Sequence, residues 1–177
     1  GLPDMVFAAN AGVVHDGRVL VSRFAHPERQ LESEAFLRWF TAAGYAPARV
    51  AGERNEGEGD VLVAGEVMLA AVGTRTSRAA HEELRAFFGL PVVGLELFDP
   101  RFYHLDTALT VLDGRTGAYY PDAFSAASRE TVERLFPGAI RATEEDACGF
   151  GLNAMSDGRR VVLSDRSVGL RDQLREH

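Results

Sequence analysis

Four times along 177 residues the same turn chemistry returns, at Asp16-Gly17-Arg18, Ala64-Gly65-Glu66, Asp113-Gly114-Arg115 and Asp157-Gly158-Arg159. The glycines at 17, 65, 114 and 158 lie 48, 49 and 44 residues apart. A glycine-bearing turn between two extended apolar runs is a hairpin signal, and self-similarity at a near-constant period marks a repeat architecture. Hairpins are expected over 5–24, 60–74, 103–120 and 147–164. Each is followed by an amphipathic helical pattern: SEAFLRWFTAAG, TSRAAHEELRAFFG, SRETVERLF and SVGLRDQL. Ser33, Ser128 and Ser167 are the expected N-caps, and Gly44 and Gly89 the expected stops. A short strand follows the first three helices, in ARVAG, PVVGLEL and AIRAT. The repeating unit is therefore β-hairpin, helix, strand, in an α/β chain. The fourth copy reaches Glu176-His177 with no closing strand. A ring of such units would leave strand edges unpaired there. The expectation is a fragment, cut at its C-terminus and also at its N-terminus.

Composition narrows the function classes. The net charge of −7 argues against a nucleic-acid surface, which needs a basic patch. No apolar run approaches the roughly 20 residues of a membrane span. Cys148 stands alone, so no internal disulfide can form, and a reducing, cytoplasmic compartment is the expectation.

Three polar stretches fall at equivalent places in the repeat, where strands would converge on the middle of a ring. PDMVFAANAG, residues 3–12, alternates like a buried strand, with Asp4, Val6, Ala8 and Asn10 on one face. NEGEGD, residues 55–60, is a glycine-spaced acidic loop entering the second hairpin. Gly57 and Gly59 would let its backbone approach something closely, leaving Glu56, Glu58 and Asp60 to face it. DPRFYHLDT, residues 99–107, enters the third hairpin, with His104 and Asp106 on a shared strand face. His104, Asp106 and Asp60 offer oxygen and nitrogen donors to a metal, yet HExxH and CxxC are both absent. No GxxxxGK[ST] or GxGxxG exists to hold a nucleotide. Cys148, in EEDACGFGLNA, reads as a small packed residue, with a nucleophilic role as the alternative.

Taken together, PDMVFAANAG, RFAHPERQ, NEGEGD, GTRTS, DPRFYHLDT with YYPDAF, and GLNAMSDGRRVVL resemble the guanidino-group-modifying enzymes, the pentein superfamily. Within it they are similar to the dimethylargininases and the arginine dihydrolase-like amidinotransferases. The resemblance implies an α/β-propeller of five ββαβ units around a pseudo-symmetry axis. About four units would be present, as one incomplete domain over residues 1–177. It implies hydrolysis of the guanidinium C–N bond of arginine or an N-methylated arginine by a cysteine nucleophile, with no cofactor or metal. The partner would be a small guanidino substrate, and a homo-oligomer is left open. His104 would be the general acid and base, and Glu56 its partner, with Glu58 the runner-up. Asp4 and Asn10 would face the guanidinium, and Arg29 and Arg75 would clamp the substrate carboxylate. At Asn10, where many dimethylargininases have aspartate, the sequence departs from the pattern. An arginine dihydrolase giving ornithine, carbon dioxide and ammonia is the alternative, and a catalytically inactive arginine-binding module another. Nothing matches the family's Gly-Cys nucleophile stretch, and Cys148 is not at its position.

Overall fold

The first hairpin is closed by Asp16 and Gly17, both left-handed at φ 49° and 72°. Two positive angles are what a two-residue turn needs to follow the twist of its strands. In the computed structural model, which describes residues 1–73 and 75–177, this turn joins β1 (Gly12–His15) to β2 (Arg18–Val21). Helix α1 (Glu32–Ala42) follows, and β3 (Ala48–Val50) returns parallel to β2. The second unit repeats the order with β4 (Val61–Ala64), β5 (Val67–Val72), α2 (Arg78–Phe88) and β6 (Val92–Glu96). The third does so with β7 (Leu109–Val111), β8 (Gly117–Tyr119), α3 (Ala126–Leu135) and β9 (Ile140–Arg141). A short α4 (Glu144–Cys148) leads into the hairpin of β10 (Met155–Ser156) and β11 (Val161–Val162), and α5 (Val168–Glu176) closes the described chain. Three ββαβ units and a fourth of hairpin plus helix are thus strung in series.

The helices tie neighbouring units together. From α1, Phe36 and Phe40 pack on Val19, Val21 and Phe24 of their own unit. Leu84, Phe87 and Phe88 of α2 share one core with Met68 and Val61 and with Val13 and Leu20 of the preceding hairpin. A third core runs from Leu69 and Leu95 through Leu109 and Tyr119 to Leu152 and Leu170. Each large apolar side chain buried this way is worth about 1.5–3 kcal/mol. Local signals agree with these spans for α2, where the Ser77 hydroxyl accepts from Ala80 N and Gly89 ends the helix at φ 77°.

Several expectations need correction. PDMVFAANAG is not a strand: Pro3–Val6 and Ala8–Ala11 are 3-10 turns, and the ladder ends where Ser22 N donates to Ala11 O. The third hairpin begins at Leu109, after a 3-10 turn at Leu105–Thr107, and residues 147–154 of the fourth lie in α4 and turns. The third and fourth loops are wider than two residues, and in each an aspartate closes the loop. Asp113 Oδ1 accepts from Arg115 N and Thr116 N, and Asp157 Oδ1 from Arg159 N and Arg160 N. Ser33 and Ser128 are not caps. Each lies inside its helix and bonds elsewhere, Ser33 Oγ donating to Ser22 O, just past β2, at 2.7 Å and Ser128 Oγ accepting from Glu96 N of β6 at 2.8 Å. Ser125 caps α3 instead, while Ser167 stands at the start of α5 with its hydroxyl donated to Asp146 O.

The 3-10 turns Ala8–Ala11, Gly57–Gly59 and Leu105–Thr107 enter units one to three and touch in succession. The middle one carries the constraint. Gly57 has φ 63°, and a Cβ there would lie 2.7 Å from Gly12 N and 2.8 Å from Ala9 O. A Cβ at Gly59 would overlap Asn10 Nδ2. What these glycines approach is the neighbouring unit. Gly57→Ala is expected to cost about 2 kcal/mol or more, since strain and overlap add. Gly17→Ala, at φ 72° with nothing within 4 Å, should cost about 1 kcal/mol. Equal losses in chemical denaturation would contradict the close-approach account.

Candidate active site

Glu56 is the residue immediately before the glycine turn and is completely buried. Its backbone N–H is donated to Thr76 Oγ1, and the same hydroxyl donates to Asp60 Oδ2 at 2.6 Å. The carboxylate reaches three other segments. Oε1 accepts from Ala25 N at 3.2 Å, while Oε2 is 2.9 Å from both Arg75 Nη1 and His104 Nε2. Burial pushes the Glu56 carboxyl up, but the bond from His104, the Arg75 charge and the Ala25 N–H outweigh it and hold it below the ordinary glutamate range. An ionised carboxylate only accepts, so Nε2 of His104 carries the proton and Nδ1 is the free base when the ring is neutral.

Glu58 points elsewhere: its Oε1 accepts from Val14 N at 3.1 Å, and burial raises its pKa despite that bond. Of the two glutamates of NEGEGD, Glu56 is thus the one that touches His104. Asp60 takes Leu105 N and Thr76 Oγ1 and braces the third 3-10 turn against the second. Its carboxyl is raised by burial.

A cavity of about 730 Å³ opens in front of His104. Asp4, Asn10, Arg29, Arg75 and His104 line it, and Glu56 stands behind His104 and Arg75. Asn10 and His104 meet over Gly59, which places the first and third polar stretches on one cavity as the repeat requires. The two arginines are less free than a surface clamp. Arg29 is buried, with Nε and Nη2 on the Glu32 carboxylate, Nη1 on Asn10 Oδ1 and Nη2 also on Asp4 O. Arg75 commits Nη1 to Glu56, and its guanidinium carbon lies 5.2 Å from the Tyr103 ring centre. Of GTRTS, Thr74 lies outside the described residues.

Sequence reasoning passed over Glu32 and weighed Asp106 only as a metal ligand. Glu32 follows Arg29 by three residues at the start of α1, an ion-pair spacing that could have been read. Asp106 lines the cavity, and its buried Oδ1 has no hydrogen-bond partner among the described residues. Burial, opposed by His104 and reinforced by the Asp60 charge, pushes its carboxyl up to about 7. No three His, Cys, Asp or Glu side chains among the described residues gather as metal ligands. Cys148 is exposed, 3.7 Å from Arg101 Nη1, and does not line the cavity.

Asp106 makes a pH prediction. Its folded pKa is raised, so between about 4 and 7 the folded chain keeps a proton that the unfolded chain has lost. Stability from this group therefore falls as pH rises through that window. Denaturation at pH 5 and pH 8 should show a larger loss in the wild type than in Asp106→Asn, by up to roughly 2 kcal/mol. Parallel losses would place Asp106 in ordinary solvent.

No family model matches the sequence. The chain is 53% identical over 175 residues to the N(G),N(G)-dimethylarginine dimethylaminohydrolase of Mycobacterium tuberculosis, covering 99% of this chain and 58% of that protein. It is 38% identical over 181 residues to the bifunctional arginine dihydrolase/ornithine cyclodeaminase ArgZ of Synechocystis, covering 99% and 26%. The fold superposes on the crystal structure of the N-terminal domain of ArgZ, a cysteine-to-serine mutant bound to substrate. That match has a TM-score of 0.94 at 37% identity, over 99% of this chain and 67% of that one. A dimethylarginine dimethylaminohydrolase from Pseudomonas aeruginosa, complexed with citrulline, matches at TM-score 0.84 and 17% identity and speaks for the fold alone. The chain thus spans a little over half of its mycobacterial relative. With three ββαβ units and a fourth hairpin matched over nearly their whole length, the chain belongs to the pentein superfamily of guanidino-group-modifying enzymes.

Proposed function

We propose that the protein hydrolyses the guanidinium C–N bond of arginine or an N-methylated arginine, giving citrulline, through a cysteine outside these 177 residues. The observation that carries this reading is Glu56 Oε2, which already holds a guanidinium N–H, from Arg75, and the His104 imidazole at 2.9 Å each. The cavity in front of that histidine is lined by Asp4 and Asp106, which can accept from the guanidinium of a substrate. A thiolate attacks the guanidinium carbon and forms a C–S bond. The C–N bond breaks as His104, protonated and steadied by Glu56, gives its proton to the departing amine. Neutral His104 then takes a proton from water as the water adds to the same carbon. The C–S bond breaks, returning the thiolate and leaving a ureido group.

The remaining roles extend the same reading. Asp106 and Asp4 supply carboxylates to the donor-only guanidinium. Arg75, with one N–H committed, and Arg29, with one N–H of Nη1 left over, receive the substrate carboxylate. Single-cysteine composition supports a cytoplasmic setting. In the described residues no helix is long and apolar enough to cross a membrane. A second reading, two successive hydrolyses giving ornithine, carbon dioxide and ammonia, is favoured by Asn10, an amide where many dimethylargininases have a carboxylate.

In full-length protein, His104→Ala should slow turnover roughly 100- to 10,000-fold while arginine still binds. Glu56→Gln should impair turnover far more than Glu58→Gln, because Glu58 faces Val14. Product analysis with arginine and dimethylarginine separates the readings: citrulline alone supports the first and ornithine the second. Binding without turnover marks an inactive arginine-binding module. Turnover by the 177-residue chain that Cys148→Ser abolishes would overturn the assignment of the nucleophile.

A further inference from the structure

We infer that Glu32, which does not reach the cavity, decides which end of the Asn10 amide the substrate meets. The inference rests on the proposed function and adds a positioning residue to it. Arginine has only donors, so the Asn10 atom facing Arg29 Nη1 at 3.0 Å must be the amide oxygen. Arg29 cannot turn away. Glu32, 1% exposed, grips Nε at 3.2 Å and Nη2 at 2.9 Å, and the Phe24 ring lies 4.2 Å beneath the guanidinium carbon. The amide nitrogen therefore points the other way, where one N–H meets Glu56 O at 3.4 Å. The other N–H has no partner among the described residues, and Asn10 lines the cavity.

That outcome reverses the expected role of Asn10. A guanidinium carries donors only and cannot use an N–H from Asn10. A ureido carbonyl oxygen can. The Glu32–Arg29–Asn10 chain thus makes the cavity complementary to the species left after the first hydrolysis. In an aspartate at position 10 the two oxygens are equivalent, so no orientation remains to be set.

The experiment measures citrulline and arginine binding to full-length His104→Ala protein by titration calorimetry, alone and with Glu32→Gln. Releasing Arg29 lets the amide turn, and citrulline should weaken about tenfold, the size of one neutral hydrogen bond, while arginine weakens less than about threefold. In an Asn10→Asp background, Glu32→Gln should leave citrulline affinity unchanged, a non-additivity that mere loss of packing would not produce. Thermal denaturation checks that each variant is folded. If Glu32→Gln does not fold, Glu32→Asp, with the same charge on a shorter arm, should give the same selective loss at about threefold. Equal weakening of both ligands, or an additive effect in the Asn10→Asp background, overturns the positioning role and leaves the proposed function standing. Failure of the parent protein to bind either ligand overturns both.

Discussion

The centre of the molecule depends on a contact that only glycine permits. The turn Gly57–Gly59 lies directly on the backbone of Ala9 and Gly12 and on the Asn10 amide, with no side chain between. That approach sets the first and second units at a fixed separation and brings Glu56 beneath His104 from the third. A side chain at Gly57 would have to move two backbones apart, and one at Gly59 would displace the Asn10 and His104 side chains, so either would disturb the 2.9 Å contact between Glu56 and His104.

Around that contact the molecule buries several carboxylates and treats each differently. Glu56 has an imidazole, a guanidinium and a backbone N–H, and stays ionised. Glu32 has Arg29 in a two-point grip. Asp60 has a hydroxyl and a backbone N–H but no cation bonded to it among the described residues, and its carboxyl is raised. Asp106, beside the cavity, has one buried oxygen without a partner among the described residues and is raised to about 7 despite a bond from Asn153. Burying a charge is costly unless it is paired, so a poorly satisfied acid beside an open cavity is held ready for a cationic ligand.

Much of this was legible in the sequence, and the failures have physical causes. The hairpins, helices and return strands could be read because turn glycines and apolar period are local signals. The alternation of PDMVFAANAG imitated a strand, but the β1–β2 ladder begins only at Gly12, so the segment coils into 3-10 turns. Ser33 and Ser128 looked like caps because hydroxyls favour helix starts, yet each hydroxyl is used on backbone outside its helix, at Ser22 and at Glu96, a contact that no local pattern reports. The cavity residues Asp4, Asn10, Arg29, Arg75 and His104 were found through family resemblance. The internal pairing of Arg29 with Glu32 and of Arg75 with Glu56 was not, because it depends on which carboxylate the fold brings within reach.

The central claim is that this cavity presents a guanidinium carbon to a thiolate from outside residues 1–177, with His104 and Glu56 handling the proton. The most direct measurement is acid quenching of the full-length protein during turnover of arginine, followed by intact and peptide mass analysis. The account predicts a transient amidino adduct on a cysteine other than Cys148. An adduct on Cys148, or turnover with no cysteine adduct at any time, would contradict it.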